Sequence, residues 1–391
     1  MIDRRTFTRA VGLGAGTTAL SLAAPPLPLP QAQAQAQARD RDRARAAGAA
    51  PAGTPVPAGS APAAGAPAPA PAAAPVGAPA PVGAPGPAAR TGFARLAQIR
   101  AGLLDVGYAE DGPADGPVVV CLHGWPYDIH SYVDVAPLLA ARGYRVVVPY
   151  LRGHGTTRFL SERTMRNAQQ AAVALDVLAL MDALGIRRAV LAGFDWGSRT
   201  ADIIAALWPE RVEALVSVSG YLVTDVEMQK EPLAPAAEHT WWYQFYFATE
   251  RGRRAMEDRD KRRELCRLVW QQVSPTWAFD DAVFDRTAAA FDNPDYAAIV
   301  IHNYRWRLGL AEGEHRYDQL ERRLAARPRI AVPTVTLDAG RDPFTAPGDG
   351  AGYRDFFTGP YLHRSLPEVG HNVPQEAPEA FARAVVDADR L

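Results

Sequence analysis

The chain has 391 residues, of which 48% are hydrophobic and 22% charged, enough for one large folded domain or two moderate ones. A formal net charge of −1 argues against nucleic-acid binding and against electrostatic attraction to a membrane surface. Two cysteines, Cys121 and Cys266, exclude a disulfide framework, and the sequence has no Cys/His spacing typical of a metal site.

The first residues predict an export signal. Arg4 and Arg5 precede a weakly apolar run of small residues over positions 10–24, which resembles a twin-arginine signal. This run is too short and too rich in small residues to predict a transmembrane helix. We predict a signal peptide over residues 1–30 and a periplasmic or secreted protein. A disordered basic tail is the alternative.

A low-complexity segment follows over residues 31–89, with Gln-Ala repeats, an Arg/Asp patch and Pro/Ala/Gly repeats. Such a composition cannot bury enough apolar surface to offset the entropy lost on ordering. We therefore predict a disordered tether and place the start of the folded part near residue 90.

Apolar runs alternate with segments of helical spacing from there to residue 220. Predicted strands are residues 117–124, 144–151, 188–193 and 212–220, and predicted helices are residues 131–143, 167–185 and 198–208. The helix over residues 167–185 is expected to be strongly amphipathic. This alternation predicts an α/β fold with a mostly parallel sheet covered by helices on both faces.

The pattern changes over residues 221–328, which are helix-like, aromatic-rich and charged. Strand patterns resume at residues 331–340 and 361–371. We interpret residues 221–328 as a helical cap over the carboxyl edge of the sheet, and residues 90–220 and 329–391 as the core. The charged run over residues 250–264 is expected to be a solvated helix face.

The turn G-F-D-W-G at residues 193–197 joins a predicted strand to a predicted helix. Glycines two residues before and two residues after Asp195 allow a tight, strained turn that would push its carboxylate into the cleft beside a helix N-terminus. Taken alone, the motif also fits an ordinary helix-capping aspartate.

Two further residues follow predicted strands in the order expected for a catalytic triad. Asp342 lies in G-R-D-P after one strand, and His371 lies in G-H-N after the last. Each could be a simple turn residue, but the order nucleophile, acid, histidine is that of α/β-hydrolases. We therefore predict Asp195, Asp342 and His371 as catalytic residues.

An oxyanion hole is expected next to the nucleophile. The loop H-G-W-P follows the first strong strand, so the backbone N–H groups of Trp125 and Trp196 are predicted as its donors. His123 is interpreted as structural, and His154 as part of a surface turn.

From about residue 95 to residue 391 the chain resembles the α/β-hydrolase superfamily, and within it the epoxide hydrolases and haloalkane dehalogenases. The motifs are H-G-W-P (123–126), L-R-G-H-G (151–155), G-F-D-W-G (193–197), G-R-D-P (340–343) and G-H-N (370–372). Four positions differ from the residues common in these families. Phe194 stands in place of histidine and Tyr127 in place of glutamate. Tyr150 stands in place of aspartate and Ala339 in place of glycine. These departures suggest an outlying subgroup.

The resemblance extends to the cap. Tyr243-Gln244 and Tyr304 are similar to the cap tyrosines that, in epoxide hydrolases, hold the epoxide oxygen above the nucleophile. Tyr243 and Tyr304 are therefore predicted as catalytic, although simple aromatic packing is the alternative.

The resemblance implies opening of an epoxide to a vicinal diol through an ester on an aspartate that is already ionised at neutral pH. The expected partners are a small apolar organic substrate and water, with no cofactor and no metal. Haloalkane dehalogenation by the same aspartate is a second hypothesis, in which Trp196 and one of Trp125, Trp241 or Trp242 would hold the halide. The third hypothesis is that the protein is a non-catalytic homologue that binds a ligand.

Overall fold

A computed structural model of the protein describes residues 92–344 and 348–391. The predicted signal peptide (1–30) and tether (31–89) lie outside the described residues. Among the helices of these two ranges, none combines the length and the apolar character that a membrane crossing requires.

One nine-stranded sheet forms the centre of the described structure. Its strands are β1 Leu96–Ala101, β2 Leu104–Asp111, β3 Val118–Leu122, β4 Arg145–Pro149, β5 Arg158–Phe159, β6 Ala189–Gly193, β7 Val212–Val218, β8 Thr334–Ala339 and β9 Tyr361–Leu366. Their order is β1-β2-β4-β3-β6-β7-β8-β9, with β5 paired to β2. The strands from β4 to β9 along this path are parallel to one another, which confirms the predicted mostly parallel sheet.

The sequence prediction missed β1 and β2, which add an antiparallel edge to the sheet. Most residues of β1 are exposed, because the strand lies at the edge of the sheet and is polar at alternate positions. Such a strand lacks the continuous apolar run that marks the buried strands. By contrast, every residue of β6 and of β8 is buried.

Helices flank the sheet and fill the long connection between β7 and β8. They are α1 Val135–Ala140, α2 Gln170–Ala183, α3 Trp196–Leu207, α4 Pro235–Thr240, α5 Trp242–Ala248, α6 Glu250–Glu257, α7 Arg259–Val273, α8 Asp281–Ala288, α9 Tyr296–Arg307, α10 Asp318–Ala325, α11 Val373–Glu376 and α12 Pro378–Asp389. We call residues 219–333, which lie between β7 and β8, the insertion.

The expectation that residues 167–185 form an amphipathic helix is wrong in one respect. The helix exists as α2, but it is buried on nearly all sides, and even Gln170 at its start is buried. Glu321 of the insertion accepts hydrogen bonds from the Gln170 side chain and the Ala171 N–H, both 3.1 Å long. The insertion therefore covers part of a face that the prediction left to solvent.

Strand register places the loops that carry the predicted site residues side by side. Leu122 at the end of β3 pairs with Gly193 at the end of β6, and Ala339 of β8 pairs with Leu366 of β9. The four loops that follow these strands therefore leave the same edge of the sheet.

The insertion is fixed onto this edge by buried polar contacts. The Trp270 indole Nε1 donates to the Pro126 carbonyl at 2.8 Å, and the Thr287 hydroxyl donates to Asp128 Oδ1 at 3.0 Å. Because these groups are buried, losing either partner would leave an unsatisfied polar atom.

Candidate active site

Asp195 lies on a strained turn between β6 and α3, with φ 52° and ψ −122°. The turn is possible because small residues surround it. A Cβ on Gly197 would lie 1.8 Å from the Leu122 carbonyl oxygen, and one on Gly124 would lie 2.4 Å from Asp195 Oδ1. Positive φ is costly for an aspartate and is maintained only where neighbouring structure fixes it. The turn therefore holds the carboxylate in one position.

The two oxygens of Asp195 have different neighbours. Oδ1 accepts a hydrogen bond of 2.7 Å from the Trp125 backbone N–H. Oδ2 lies 3.7 Å from His371 Nε2, which is longer than a direct hydrogen bond. Burial acts to raise the pKa of Asp195, but the charges of His371 and Arg199 and the Trp125 N–H outweigh it and lower the pKa. Asp195 is therefore an anion at neutral pH.

His371 is held from behind by Asp342. Its Nδ1 lies 2.7 Å from Asp342 Oδ2, while Asp342 Oδ1 accepts from the Phe344 N–H at 2.9 Å. Burial alone would lower the pKa of His371, but Asp342 and Asp195 raise it to about 10. The structure thus brings Asp195, His371 and Asp342 into one line at the sheet edge.

The two predicted oxyanion donors differ in what the structure places around them. The Trp125 N–H already contacts Asp195, as described. Trp196 is the first residue of α3, so its N–H belongs to the helix turn whose donors have no partner within the helix. The oxyanion role of Trp196 stays a prediction.

Tyr243 on α5 and Tyr304 on α9 come together over the Trp125 ring. The two phenol rings are 5.4 Å apart, and each lies within 5.4 Å of the Trp125 indole. Burial, together with the negative charge of Asp195, raises the pKa of both tyrosines, so both hydroxyls remain protonated donors at neutral pH. Both phenols thus pack against the ring of Trp125, the residue whose backbone N–H binds Asp195 Oδ1.

Other polar residues of the predicted loops have structural partners. His123 Nε2 accepts from the Leu151 N–H at 3.1 Å, in line with the structural interpretation. The prediction that His154 lies in a surface turn is wrong, because the residue is fully buried and its ring packs edge-on against His123. The Ser198 hydroxyl donates to the Gly193 carbonyl at 2.7 Å and accepts from the Val218 N–H. Ser198 is therefore not available as a nucleophile.

The sequence analysis overlooked two arginines at this site, Arg199 on α3 and Arg307 on α9. Their signal was spacing: Arg199 is four residues after Asp195, and Arg307 is three after Tyr304. Arg199 lies one turn after Asp195, which caps α3, and Arg307 lies on the same face of α9 as Tyr304.

A parallel sheet with a strained strand-to-helix turn, an acid and a histidine at its carboxyl edge defines an α/β-hydrolase. The chain belongs to this family, since the family model for the alpha/beta hydrolase fold matches residues 117–378.

Among curated proteins, epoxide hydrolase B of Mycobacterium tuberculosis is 32% identical over 157 residues, which are 36% of this chain and 43% of that protein. A haloalkane dehalogenase of Mycobacterium marinum is 34% identical over 138 residues, 34% of this chain and 43% of the relative. The matches thus span less than half the length of these curated relatives.

Among solved structures, a protein of Klebsiella pneumoniae with the provisional name epoxide hydrolase is 59% identical. That match covers 76% of this chain and 98% of the other, with a TM-score of 0.74. A Pseudomonas aeruginosa structure with the same provisional name is 23% identical, with a TM-score of 0.62 over 76% of this chain and 97% of its own, and shares the fold.

Proposed function

We propose that this protein hydrolyses epoxides to vicinal diols through a covalent ester on Asp195. The observation that carries the proposal is the pair of protonated phenols, Tyr243 and Tyr304, within electrostatic range of an ionised aspartate. An epoxide oxygen becomes an alkoxide when the ring opens, and two phenol donors stabilise that charge as it develops. Relatives named epoxide hydrolase support the same assignment.

In the first step Asp195 Oδ2 attacks an epoxide carbon, and the bond from that carbon to the ring oxygen breaks. Oδ2 is the attacking atom because Oδ1 is bound by the Trp125 N–H. The electron pair of the broken bond moves to oxygen, which takes a proton from Tyr243 or Tyr304. The result is an alkyl ester on Asp195 carrying a free hydroxyl.

In the second step His371 deprotonates a water that attacks the carboxyl carbon of the ester. Formation of the ester removes the Asp195 charge, which is one of the causes of the raised pKa of His371. The pKa of His371 therefore falls when the ester forms, the imidazolium passes its proton to the tyrosinate, and the neutral imidazole can accept a proton from water. Trp125 and Trp196 stabilise the oxyanion. Its collapse expels the second alkoxide, which takes the proton from His371 to complete the diol, and the Asp195 carboxyl group then returns its proton to His371.

A single turnover in heavy-oxygen water with enzyme in excess tests this sequence. Water attacks the carboxyl carbon, so the label enters Asp195 and the first diol contains none. Label in the first diol would mean that water attacks the epoxide directly, and the ester would be excluded.

A His371→Gln variant provides a second test, because it retains the nucleophile and removes the base. We expect an intact-mass increase equal to the mass of the epoxide, located on the Asp195 peptide. An unmodified protein that has lost turnover would contradict the proposed order of steps.

Haloalkane dehalogenation is a second candidate, favoured by one observation. The Trp196 indole Nε1 is buried and has no hydrogen-bond partner within the described ranges, as expected of a halide donor. Trp242 is unavailable for this role, because its Nε1 donates to Gln272 at 2.9 Å. Release of halide from a haloalkane panel, without diol formation from epoxides, would favour this function.

We also propose that the chain is exported through a twin-arginine route. The support is the Arg4-Arg5 pair ahead of a short apolar run. Replacing both arginines by lysine should retain the full-length precursor inside the cell, as followed by fractionation. If the wild-type protein and the double lysine variant are exported equally, the arginine pair is not a twin-arginine signal, and the disordered basic tail is the better interpretation.

A further inference from the structure

Arg199 is a half-buried cation with no carboxylate of the described residues at ion-pair distance. Its Nε is buried and donates no hydrogen bond, and no ion pair joins its guanidinium to any carboxylate of residues 92–344 and 348–391. A guanidinium has five donors and remains charged, so burial without a partner is costly.

Arg152 shows how this protein treats a buried arginine that serves structure. Its Nε and Nη2 donate to the two oxygens of Asp176 at 2.6 and 2.8 Å, and its Nη1 donates to the Asn167 carbonyl at 2.6 Å. The contrast indicates that Arg199 is not held in place as a structural ion pair.

A second arginine from the insertion adds to the positive charge. The Arg307 guanidinium lies 5.9 Å from the centre of the Tyr304 ring, and its Nη2 donates to the neutral Gln229 side chain at 2.9 Å. Its Nε is also buried without a partner among the described residues. After burial, the charge of Arg307 is the largest cause that lowers the pKa of Arg199, to about 10. Two like charges, one from the core and one from the insertion, therefore lie within electrostatic range of each other.

The arginines belong to the surroundings of the nucleophile. The charge of Arg199 interacts with Asp195, Tyr304 and Tyr243, and the charge of Arg307 acts on both tyrosines. Asp195 is already balanced by His371, and Asp342 is engaged by the same imidazole. Neither carboxylate lies at ion-pair distance from Arg199 or Arg307 among the described residues, so both guanidinium groups are available to bind an anion.

We propose that Arg199 and Arg307 form an anion-binding subsite, and that the substrate is a small epoxide bearing a carboxylate next to the ring. Asp195 caps α3, and the Arg199 backbone N–H donates to the Asp195 carbonyl at 3.1 Å, so the two residues are one helical turn apart. An anion held by Arg199 can therefore lie within a few bonds of the carbon that Asp195 attacks. Arginine pairs with carboxylates in bidentate geometry, which would also orient the ring. This inference rests on the proposed epoxide hydrolysis, and it replaces the expected apolar substrate with an anionic one.

A matched substrate pair tests the subsite. 2,3-Epoxypropanoate and 2,3-epoxypropanamide are nearly equal in shape and differ in charge. We expect the wild-type enzyme to favour the acid by about 10- to 100-fold in kcat/KM, the range for charge-assisted hydrogen bonds. Equal or better turnover of the amide would overturn the anionic substrate and leave epoxide hydrolysis intact.

Variants then locate the preference. In Arg199→Gln and Arg307→Gln the acid-to-amide ratio should fall towards one, mainly through a higher KM for the acid, whereas Arg307→Lys should retain part of it. The ratio cancels any general effect of Arg199 on the ionisation of Asp195, which would alter both substrates alike. Arg254→Gln, on an exposed part of α6, is the matched control and should leave the ratio unchanged. A ratio that stays high in both glutamine variants would refute the subsite.

Thermal unfolding supplies a readout that does not need turnover. Propanoate should raise the Tm of the wild-type protein and of Asp195→Asn, propanamide should not, and Arg199→Gln should remove the effect. Without added anion, Arg199→Gln should be at least as stable as wild type, because it removes the repulsion between Arg199 and Arg307. If propanoate protects the protein but no epoxide is opened, the anion site stands and the proposed function fails.

Discussion

The core and the insertion contribute to the site in different ways. The core supplies Asp195, Asp342 and His371 from loops at the ends of adjacent strands, so backbone register fixes their separations. The insertion supplies Tyr243 and Tyr304 from two helices, so side-chain packing fixes theirs. In the proposed function, bond formation therefore depends on residues ordered by the sheet, whereas the donors to the leaving oxygen come from the insertion and the proposed anion subsite draws one arginine from each.

The largest expected effect comes from the core. Asp195→Asn removes the nucleophile but keeps the size of the side chain, and we expect kcat to fall by about 10⁴-fold or more. Stopped assays of fresh protein measure it, with intact mass confirming that the amide has not deamidated. Asp115→Asn, in an exposed loop, is the control. If this variant keeps full early turnover, Asp195 is not the nucleophile, and the core does not supply the bond-forming group.

A smaller effect is expected from the insertion. Tyr243→Phe and Tyr304→Phe should each slow ester formation by about 10²-fold, since each removes one donor to the developing alkoxide and leaves the other. Rapid-quench mass analysis of the ester measures this step. Tyr246→Phe, on the same helix as Tyr243, should behave like wild type. If both Tyr→Phe variants form the ester at the wild-type rate, the two hydroxyls do not assist ring opening, and the tyrosines contribute only to packing.

The pH dependence separates the two regions further. Ester breakdown needs neutral His371, so its rate should fall tenfold for each pH unit below the pKa of that residue in the ester. This pKa lies below the value of about 10 that holds while Asp195 is charged. Ester formation needs only ionised Asp195, whose pKa is lowered, so it should persist in mild acid. The fraction of esterified enzyme should therefore be higher at pH 5 than at pH 8, and the opposite trend would contradict the assigned base.

The smallest effects concern stability. Gly197→Ala forces a Cβ against the Leu122 carbonyl and should cost about 1–3 kcal/mol of unfolding free energy, visible as a lower Tm. Arg254→Gln, in the exposed ion pairs of α6, should leave Tm unchanged. Equal losses in the two variants would show that the insertion is as tightly constrained as the turn.

The same contrast explains what the sequence could and could not predict. The parallel sheet was predictable because its strands are continuous apolar runs, and the turn at Asp195 because glycines mark it. β1 was missed because an exposed edge strand has no such run, and β2 because Asp105, Gly107 and Glu110 interrupt its apolar residues although most of the strand is buried. The partial exposure of α2 was predicted wrongly because Glu321, which covers it, is distant in sequence.

The arginines show the limit most clearly. Arg199 and Arg307 each follow a predicted site residue at helical spacing, so their faces were readable. Their lack of carboxylate partners was not, because pairing depends on how residues distant in sequence are placed around them. Within the described ranges, Arg152 Nε donates to Asp176, whereas Arg199 Nε has no hydrogen-bond partner, and only the structure shows this difference.

Trp125 has a place in both regions. Its main chain donates to Asp195 Oδ1, while its indole ring contacts Tyr243, Phe247 and Tyr304 of the insertion. If the insertion repacks to admit a bulkier substrate, the contacts of the Trp125 ring change, and the orientation of the Asp195 carboxylate changes with them. Exchanging the insertion between relatives should therefore transfer substrate preference without loss of rate only when the exchanged helices carry side chains that pack against the Trp125 ring equally well.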